Sequence, residues 1–406
     1  MDILDLAGLG LGIVATLQAG VLAVLWFTTR RRQARQGPEQ LPRFAPEPVT
    51  VAGQRLTAYS TGAALYEDML AAIRNAREEI FLETYIWKDD EVGREFKSAV
   101  TERAKAGVAV WIIYDRFANT VVPRQFFAFA PEIHVLPYRA IRSPLDLLSP
   151  RKWGRNHRKL LVVDRRIGFV GGFNIGALYR DVWHDTHLGI EGDEVNDLAF
   201  TFVDLWRRLC ARGAPCPPMA VRPWSASVRI HRNDPRRVMF PIRSIYVEAI
   251  EHAQRSISLT QAYFVPDPPM LGALKYAAER GVSVKVLIPW ESNHLLADWL
   301  SRHLFEECLA SGIRIFGYQG VMIHSKTCTI DGVWSTIGTT NMDRLSLAGN
   351  FEINVEVFAP ELAEQMERLF EDDLRNAREI TLEAWRRRPL TARATELLLS
   401  PLWVLV

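Results

Sequence analysis

Apolar strand-like runs alternate with helical patterns along most of the chain, and the same order occurs twice. The first half has a helical pattern at 62–78, then apolar strands at 80–87 and 108–114 with a second helix between them, and a third short strand at 133–136. The second half repeats this order at 244–255, 257–264, 282–288 and 313–316. Strands that alternate with helices are typical of α/β layers. The pattern predicts an α/β fold with two similar lobes related by a pseudo-twofold axis, each with helices covering a largely parallel sheet.

A different pattern comes before the first lobe. Residues 7–27 contain no charge over 21 positions, which is enough for a helix to cross a hydrocarbon core of about 30 Å. Acidic residues precede this run and four arginines follow it, at 30, 31, 32 and 35. We therefore expect a retained single-pass anchor in the inner (cytoplasmic) membrane, with the rest of the chain on the cytoplasmic side. A buried amphipathic helix is the alternative.

Proline and glycine mark the remaining boundaries. A Pro- and Gly-rich stretch at 211–235 places the division between the lobes near residue 220. The tail is basic and then apolar but too short to span a bilayer, so it either lies in the membrane interface or packs against the body. The predicted units are an anchor with a basic segment, a Pro-rich linker, a first lobe, a second lobe and an interfacial tail, at 1–35, 36–54, 55–220, 221–380 and 381–406.

Composition adds three constraints. With 406 residues, of which 48% are hydrophobic and 24% charged, the chain is long enough for two cores. Its net charge of +2 gives no indication of nucleic acid. The four cysteines have neither metal-ligand spacing nor a disulfide framework, and we expect them to be buried small apolar residues.

Candidate chemistry comes from a motif that also occurs twice, with its copies 167 residues apart. Each copy has a Lys two residues after a His and an Asp seven residues after it, then an Asn at 17 and a carboxylate at 28. Two such matches do not arise by chance and indicate an internal repeat of domain length. The members are His157, Lys159, Asp164, Asn174 and Asp185 in the first copy, and His324, Lys326, Asp331, Asn341 and Glu352 in the second.

These paired motifs, with GGFNIG at 171–176 and GTTNMD at 338–343, resemble the phospholipase D superfamily over roughly residues 55–375. Segments 183–192 and 350–357 are similar to the bacterial cardiolipin synthase branch. One departure is that Arg344 directly follows Asp343, whereas that branch usually carries an Arg at the place of Leu345. The resemblance implies two phospholipase D-like lobes with the active site at their interface. It also implies a phosphatidyltransferase that requires no cofactor and no metal.

The residue types suit phosphodiester chemistry. One neutral imidazole can attack phosphorus while a second exchanges a proton with the departing and incoming alcohols. The resemblance assigns attack to His157 and proton transfer to His324. We expect Lys159, Lys326, Asn174 and Asn341 to bind the phosphate oxygens. Asp185 and Glu352 would each accept a hydrogen bond from a histidine ring. Asp164 and Asp331 are counted with the catalytic motif, but their position at strand ends suggests that they hold a turn or pair with a basic group.

Two reactions remain open from the sequence. The first transfers a phosphatidyl group from one phosphatidylglycerol to another, with phosphatidylethanolamine as a further possible substrate. The second uses the same residues with water and hydrolyses phospholipid or, less favoured, nucleic acid. A nuclease should have a basic groove interleaved with aromatic residues, which the arginine distribution does not indicate, so we expect no nucleic acid partner. The expected partners are phospholipids and the bilayer, and the oligomeric state is not predicted.

Overall fold

The computed structural model describes residues 12, 16–25, 27 and 44–405 of the chain. Its strands form two eight-stranded sheets. The first sheet contains β1 Pro48–Val51, β2 Gln54–Thr61, β3 Glu79–Thr84, β4 Ala109–Asp115, β5 Ile133–Tyr138, β6 Leu160–Val163, β7 Ile167–Gly171 and β8 His184–Glu191. The second contains β9 Val228–Asn233, β10 Ser256–Gln261, β11 Ser283–Pro289, β12 Arg314–Tyr318, β13 Lys326–Ile330, β14 Trp334–Gly338, β15 Glu352–Phe358 and β16 Ala377–Ile380.

The strand orders match between the two sheets. The first is β1-β2-β8-β7-β6-β3-β4-β5 and the second is β9-β15-β14-β13-β10-β11-β12-β16. Seven strands correspond, β2 to β9 and β3–β8 to β10–β15, while β1 and β16 each extend one sheet. The register fixes matching positions, because Leu82 pairs with Leu161 and Leu259 pairs with Cys328, each partner four residues after its motif histidine. The prediction of two similar α/β lobes is confirmed.

The prediction of a largely parallel sheet is wrong. In each sheet only two neighbouring pairs are parallel, and the other five are antiparallel. An α-helix connects β3 to β4, β10 to β11 and β11 to β12, whereas the connection from β4 to β5 has only the 3₁₀ turn Arg124–Phe127. The pairs β6–β7 and β13–β14 are hairpins with short turns. Asp331 and Gly332 both have positive φ in the second of these turns (56° and 67°), as a tight hairpin requires.

Helices cover the faces of both sheets. They are α1 Gly62–Asn75, α2 Glu91–Lys105, α3 Ala177–Asp181, α4 Val195–Leu209, α5 Pro241–His252, α6 Pro268–Glu279, α7 Leu295–Ala310, α8 Arg344–Ala348, α9 Pro360–Arg375, α10 Leu382–Arg386 and α11 Leu390–Leu399. The largest apolar cluster includes residues of both sheets together with residues of α4 and α9, such as Phe202 and Leu369. Separate clusters join the first sheet to α1 and α2, and the second sheet to α5, α6 and α7. A shared core therefore holds the two lobes together.

The chain ends differ in part from the prediction. Nine of the 21 residues of the proposed anchor at 7–27 lie outside the described residues, and among those described no helix is long and apolar enough to cross a membrane. Strand β1 falls inside the predicted linker 36–54, whose last part thus belongs to the first sheet. In the tail, Trp385 and Leu399 are buried, so it packs against the body, although other tail residues remain exposed.

The cysteines divide into two groups. Cys308 and Cys328 are buried, as expected. Cys210 is only partly buried and Cys216 is exposed, with their sulfur atoms 3.2 Å apart, so the prediction of burial is wrong for these two. Both lie after α4, in the Pro-rich connection between the lobes, and Cys210 packs against the edge of the largest apolar cluster.

Candidate active site

The two motifs meet where the lobes face one another, and the backbone of the opposite lobe holds each histidine. His157 N donates to Phe351 O (3.0 Å), and Phe351 N donates to Arg155 O (2.9 Å). His324 N likewise donates to His184 O (2.6 Å). The histidines lie just outside the motif strands, because β6 begins at Leu160 and β13 begins at Lys326. They occupy extended segments that pair across the lobe interface, next to the carboxyl ends of β3 and β10.

The carboxylates also cross between the lobes. Glu352 of the second lobe contacts Nδ1 of His157 at 3.0 and 3.1 Å, and Asp185 of the first lobe contacts Nδ1 of His324 at 2.6 Å. A neutral ring that donates through Nδ1 keeps the lone pair of Nε2 for chemistry. Among the described residues, no group of three or more His, Cys, Asp or Glu could hold a metal ion.

Aromatic rings shield the two histidines to different extents. The Tyr85 ring lies 4.8 Å from that of His157, edge to face. The rings of Trp183 and Tyr263 lie 4.9 and 6.2 Å from that of His324. The His157 side chain is 12% exposed and that of His324 is 5% exposed. His157 is thus the more accessible of the two.

Burial keeps both imidazoles neutral in the free site. It lowers the pKa of His157, with Lys159 and Lys326 acting in the same direction and Glu352 opposing them. Burial and the charge of Lys326 lower the pKa of His324 to about 3, against the effect of Asp185. A bound phosphodiester anion would raise both pKa values, because it offsets the lysine charges.

The two lysines supply positive charge that no close carboxylate neutralises. Lys159 Nζ donates to His157 O at 2.7 Å, and Lys326 Nζ donates to His324 O. Burial lowers the pKa of Lys159 to about 7 and that of Lys326 to about 8. Within the described part of the chain, no carboxylate oxygen lies within 4 Å of either ammonium, so both are suited to bind an anion.

The two asparagines are both buried but differ in their contacts. Asn174 Oδ1 accepts from Ile86 N at 3.0 Å, which directs the other end of its amide away from this backbone. Asn341 Nδ2 lies 3.5 Å from Ser346 Oγ, and its Oδ1 has no hydrogen-bond partner among the described residues. Asn174 lies three residues after the end of β7, and Asn341 lies three residues after the end of β14, so the two occupy matching positions, as the repeat predicts.

The structure does not bring Asp164 and Asp331 to the site. Asp164 accepts from the backbone N–H groups of residues 77, 78 and 79, at 2.8–3.0 Å. Asp331 accepts from those of residues 254, 255 and 256, at 2.7–2.9 Å. Each lies seven extended residues from its histidine, about 20 Å along the strand. They hold the hairpin turn to the start of β3 or β10, the structural role that their strand-end position suggested.

Three buried groups near the site were not predicted. Arg158, between the first histidine and lysine, donates through Nη2 to Asn233 O (3.0 Å) and through Nε to Glu352 O (3.3 Å), both in the second lobe. Glu83 accepts from Asn156 Nδ2 at 2.7 Å. Burial raises its pKa, against the effect of Arg158. A charged side chain in a motif gives no sequence signal that it is buried.

The third missed group is an ion pair between the lobes. His184 Nε2 lies 2.7 Å from Asp373 on α9, and its Nδ1 lies 2.9 Å from Ser60 O. Burial would lower the pKa of His184, but Asp373 and the Ser60 carbonyl outweigh it and the pKa is raised. The only available signal was proximity to Asp185 along the chain.

Two lobes of matching sheets, with a His-x-Lys pair from each at a shared site, define a phospholipase D-like protein. The solved phosphatidylserine synthase from Haemophilus influenzae shares this fold, with a TM-score of 0.67 and 14% identity over 85% of this chain and 92% of that one. The polyphosphate kinase of Porphyromonas gingivalis shows a weaker likeness, with a TM-score of 0.54 and 16% identity over 90% of this chain and 58% of that one.

Sequence comparison gives a narrower assignment. The family described as "Cardiolipin synthase, PLD-like domain" matches residues 69–206 and 246–374. A cardiolipin synthase of Geobacillus kaustophilus is 34% identical, over 89% of this chain and 74% of that protein. Cardiolipin synthase 1 of Staphylococcus aureus is also 34% identical, over 82% of this chain and 70% of that protein. The chain belongs to the cardiolipin synthase family of the phospholipase D superfamily.

Proposed function

We propose that this enzyme transfers a phosphatidyl group from one phosphatidylglycerol to a second, forming cardiolipin and releasing glycerol. The observation that carries the proposal is the crossed pair of histidines, each oriented by the opposite lobe's carboxylate. Beside them lie two buried lysines that have no carboxylate oxygen within 4 Å in the part of the chain that the structure describes. Its relatives are bacterial cardiolipin synthases, which supports phospholipid as the substrate class.

The first half-reaction places the donor phosphate between Lys159 and Lys326, where Asn174 and Asn341 also donate. His157 attacks through Nε2, a phosphorus–nitrogen bond forms, and the bond from phosphorus to the glycerol oxygen breaks. His324, protonated once the anion is bound and stabilised by Asp185, gives its proton to the leaving oxygen. The products are glycerol and a phosphatidyl-histidine.

The second half-reaction reverses these roles. The glycerol hydroxyl of a second phosphatidylglycerol enters the position that glycerol left, and His324 accepts its proton. The new phosphorus–oxygen bond forms as the phosphorus–nitrogen bond breaks, which frees His157. Trp183 and Tyr263 beside His324 favour a lipid alcohol over water at this step, because they make the acceptor side apolar.

We further propose that the enzyme works at the cytoplasmic membrane. Residues 7–27 would anchor it, with the body on the cytoplasmic side, as the arginines that follow indicate. The bacterial relatives support a membrane-associated enzyme, because cardiolipin synthases act on lipids.

The test is incubation of the purified full chain in mixed micelles with phosphatidylglycerol as sole phospholipid and with a chelator present. Mass spectrometry should find cardiolipin and free glycerol in equal amounts, and the His157→Ala variant should form neither. Phosphatidic acid without cardiolipin would overturn the transferase and establish hydrolysis. If phosphatidylglycerol gives no product, the donor assignment is wrong, and phosphatidylethanolamine is the next substrate to add.

A further inference from the structure

Exposed apolar side chains surround the first motif. The loop after β4 and the connection from β5 to β6 carry large apolar residues on the surface, with Leu145 74% and Leu148 81% exposed. Both segments leave the carboxyl ends of parallel strands, where His157 also lies. We call this set the apolar rim, and its members are Phe117, Val121, Leu145, Leu147, Leu148 and Trp153.

The two parts of the rim are joined beside the active site. The guanidinium of Arg155 lies 3.6 Å from the centre of the Phe117 ring, which connects the loop after β4 to the second segment. Arg155 is two residues before His157, and its backbone carbonyl accepts from Phe351 N. Arg155 therefore places the rim next to the segment that carries His157.

The connection from β5 to β6 is an ordered element in which an acidic side chain is buried and leucine side chains are exposed. Two short 3₁₀ turns, Pro144–Leu148 and Pro150–Lys152, form its centre. Asp146 is buried among them and accepts from Arg142 N (2.8 Å), Ser143 N (3.0 Å) and Lys152 Nζ (2.6 Å). These contacts turn the acidic side chain inward and leave the neighbouring leucines in solvent. An exposed apolar patch of this kind usually contacts a partner.

Charge indicates which partner fits. Residues 139–156 contain five basic residues and one acidic residue, and Asp146, the acidic one, is buried. Leucines and a tryptophan flanked by arginine and lysine suit the boundary of an anionic bilayer, where the apolar groups enter the acyl region and the basic groups contact phosphates.

The second lobe shows that the fold does not require this surface. Its matching connection, between β12 and β13, has only seven residues, 319–325, and its Met322 and Ile323 are buried. The first lobe thus carries an additional segment on the side where a lipid must reach His157.

We propose that the apolar rim docks on an anionic bilayer and brings the phosphodiester of a bilayer lipid directly to His157. This rests on the proposed function, because only a lipid substrate requires such docking. The rim inserts to a shallow depth on the first-lobe side of the site, so the lipid moves to the histidine without its acyl chains crossing water.

The test uses Trp153 as a depth probe in the full chain, reconstituted in vesicles of brominated phosphatidylglycerol. Trp224 provides the control, since it is exposed even more fully than Trp153 (101% against 51%) and lies four residues before β9. There Val228 pairs with Val357, at the end of β15 far from Glu352. The contribution of each tryptophan is the fluorescence that is lost when it is replaced, in Trp153→Phe or in Trp224→Phe. Bromine should quench the contribution of Trp153 and leave that of Trp224 unchanged. Equal quenching of the two contributions would overturn the proposal.

An activity measurement separates this inference from the proposed function. The variant L145S/L147S/L148S should lose at least tenfold of its activity on phosphatidylglycerol vesicles. It should remain within twofold of the parent on dihexanoyl phosphatidylglycerol below its critical micelle concentration, and V221S/W224S should keep both activities. Equal loss on both substrates would show a structural effect and overturn docking. If the parent forms no cardiolipin from either substrate, the proposed function fails, whereas the quenching result stands independently. Trp153 could instead become shielded from solvent in the absence of lipid, to an extent that rises with protein concentration. That result would indicate a second copy of the chain on the rim and would overturn the bilayer assignment.

Discussion

The two lobes have sheets of the same strand order but differ in the aromatic rings beside their histidines. By register, Tyr85 of the first lobe matches Ala262 of the second, so only His157 has an aromatic ring at this position. His324 is enclosed instead by Trp183 and Tyr263. The repeated residues bind what is common to both half-reactions, the phosphate, while the residues that differ give the histidines separate roles.

The largest expected effect removes either histidine. His157→Ala and His324→Ala should each lower kcat by about 10⁴-fold or more, and the double variant should be no worse, because the two act as one unit. A phosphatidyl 4-nitrophenyl ester separates their roles, since its leaving group needs no proton. His324→Ala should still give a nitrophenol burst and an adduct on His157, detected by peptide mass spectrometry. An adduct on His324 in His157→Ala would reverse the roles.

The crossed carboxylates come next. Glu352→Gln and Asp185→Asn should each lower activity by about 10²-fold, through loss of histidine orientation. Glu352→Gln should slow the nitrophenol burst although it alters the second lobe, because Glu352 contacts His157. Glu356→Gln is the control, since Glu356 lies on the same strand and binds His231 and Trp334 instead. A burst slowed more by Asp185→Asn than by Glu352→Gln would contradict the crossing.

A smaller effect follows from the lysines. Because burial lowers the pKa of Lys159 to about 7 and that of Lys326 to about 8, raising the pH above these values removes the charge that binds the phosphate. We expect kcat/KM to fall by about tenfold per pH unit between pH 7 and 8, where one lysine loses its proton, and by about a hundredfold per pH unit above pH 8, where both do. The fall in kcat should come at higher pH, since bound anion keeps the lysines charged. Lys326→Arg should reduce the fall above pH 8 to about tenfold per pH unit, because only Lys159 then loses its charge, and an unchanged slope would assign the second titration to another group.

The smallest expected effect is on thermal stability. It is tested by comparing His184 with Phe351, the residue at the matching position of the second lobe. Asp373 raises the folded pKa of His184, so its contribution to stability is fully present below about pH 6.5 and is lost as pH rises through the folded value. Asp373→Asn should therefore lower Tm by several degrees at pH 6 and by less at pH 9. Phe351→Leu removes packing against Tyr138 and should lower Tm equally at both. Differential scanning calorimetry measures these shifts, and a pH-independent loss in Asp373→Asn would exclude the charged pair.

Much of this architecture could be predicted because it is repeated. The second occurrence of each strand and of the motif supports the first, and hydrophobic runs placed β3, β4 and their counterparts correctly. Asp331 and Gly332 also carried a hairpin signal that could have corrected the parallel-sheet prediction.

Other features depend on contacts between distant residues. The spacing of 28 residues is the same in both repeats, so it could not show that Glu352 serves His157 rather than His324. Residues 139–156 have no helical or strand period, and their reversed polarity becomes visible only when Asp146 is found buried. The burial of Arg158 depends on carbonyls in the second lobe.

The crossed carboxylates also determine when, during synthesis, the chain becomes reactive. The first lobe leaves the ribosome with His157 and Lys159 in place, but Glu352, which orients the ring, is still to be translated. His324 emerges after its own partner, Asp185, yet it requires the second lobe to be docked before the two meet. An unfinished or half-folded chain therefore has no histidine that is held by its carboxylate. We expect such a chain to cleave no phospholipid until both lobes have folded together.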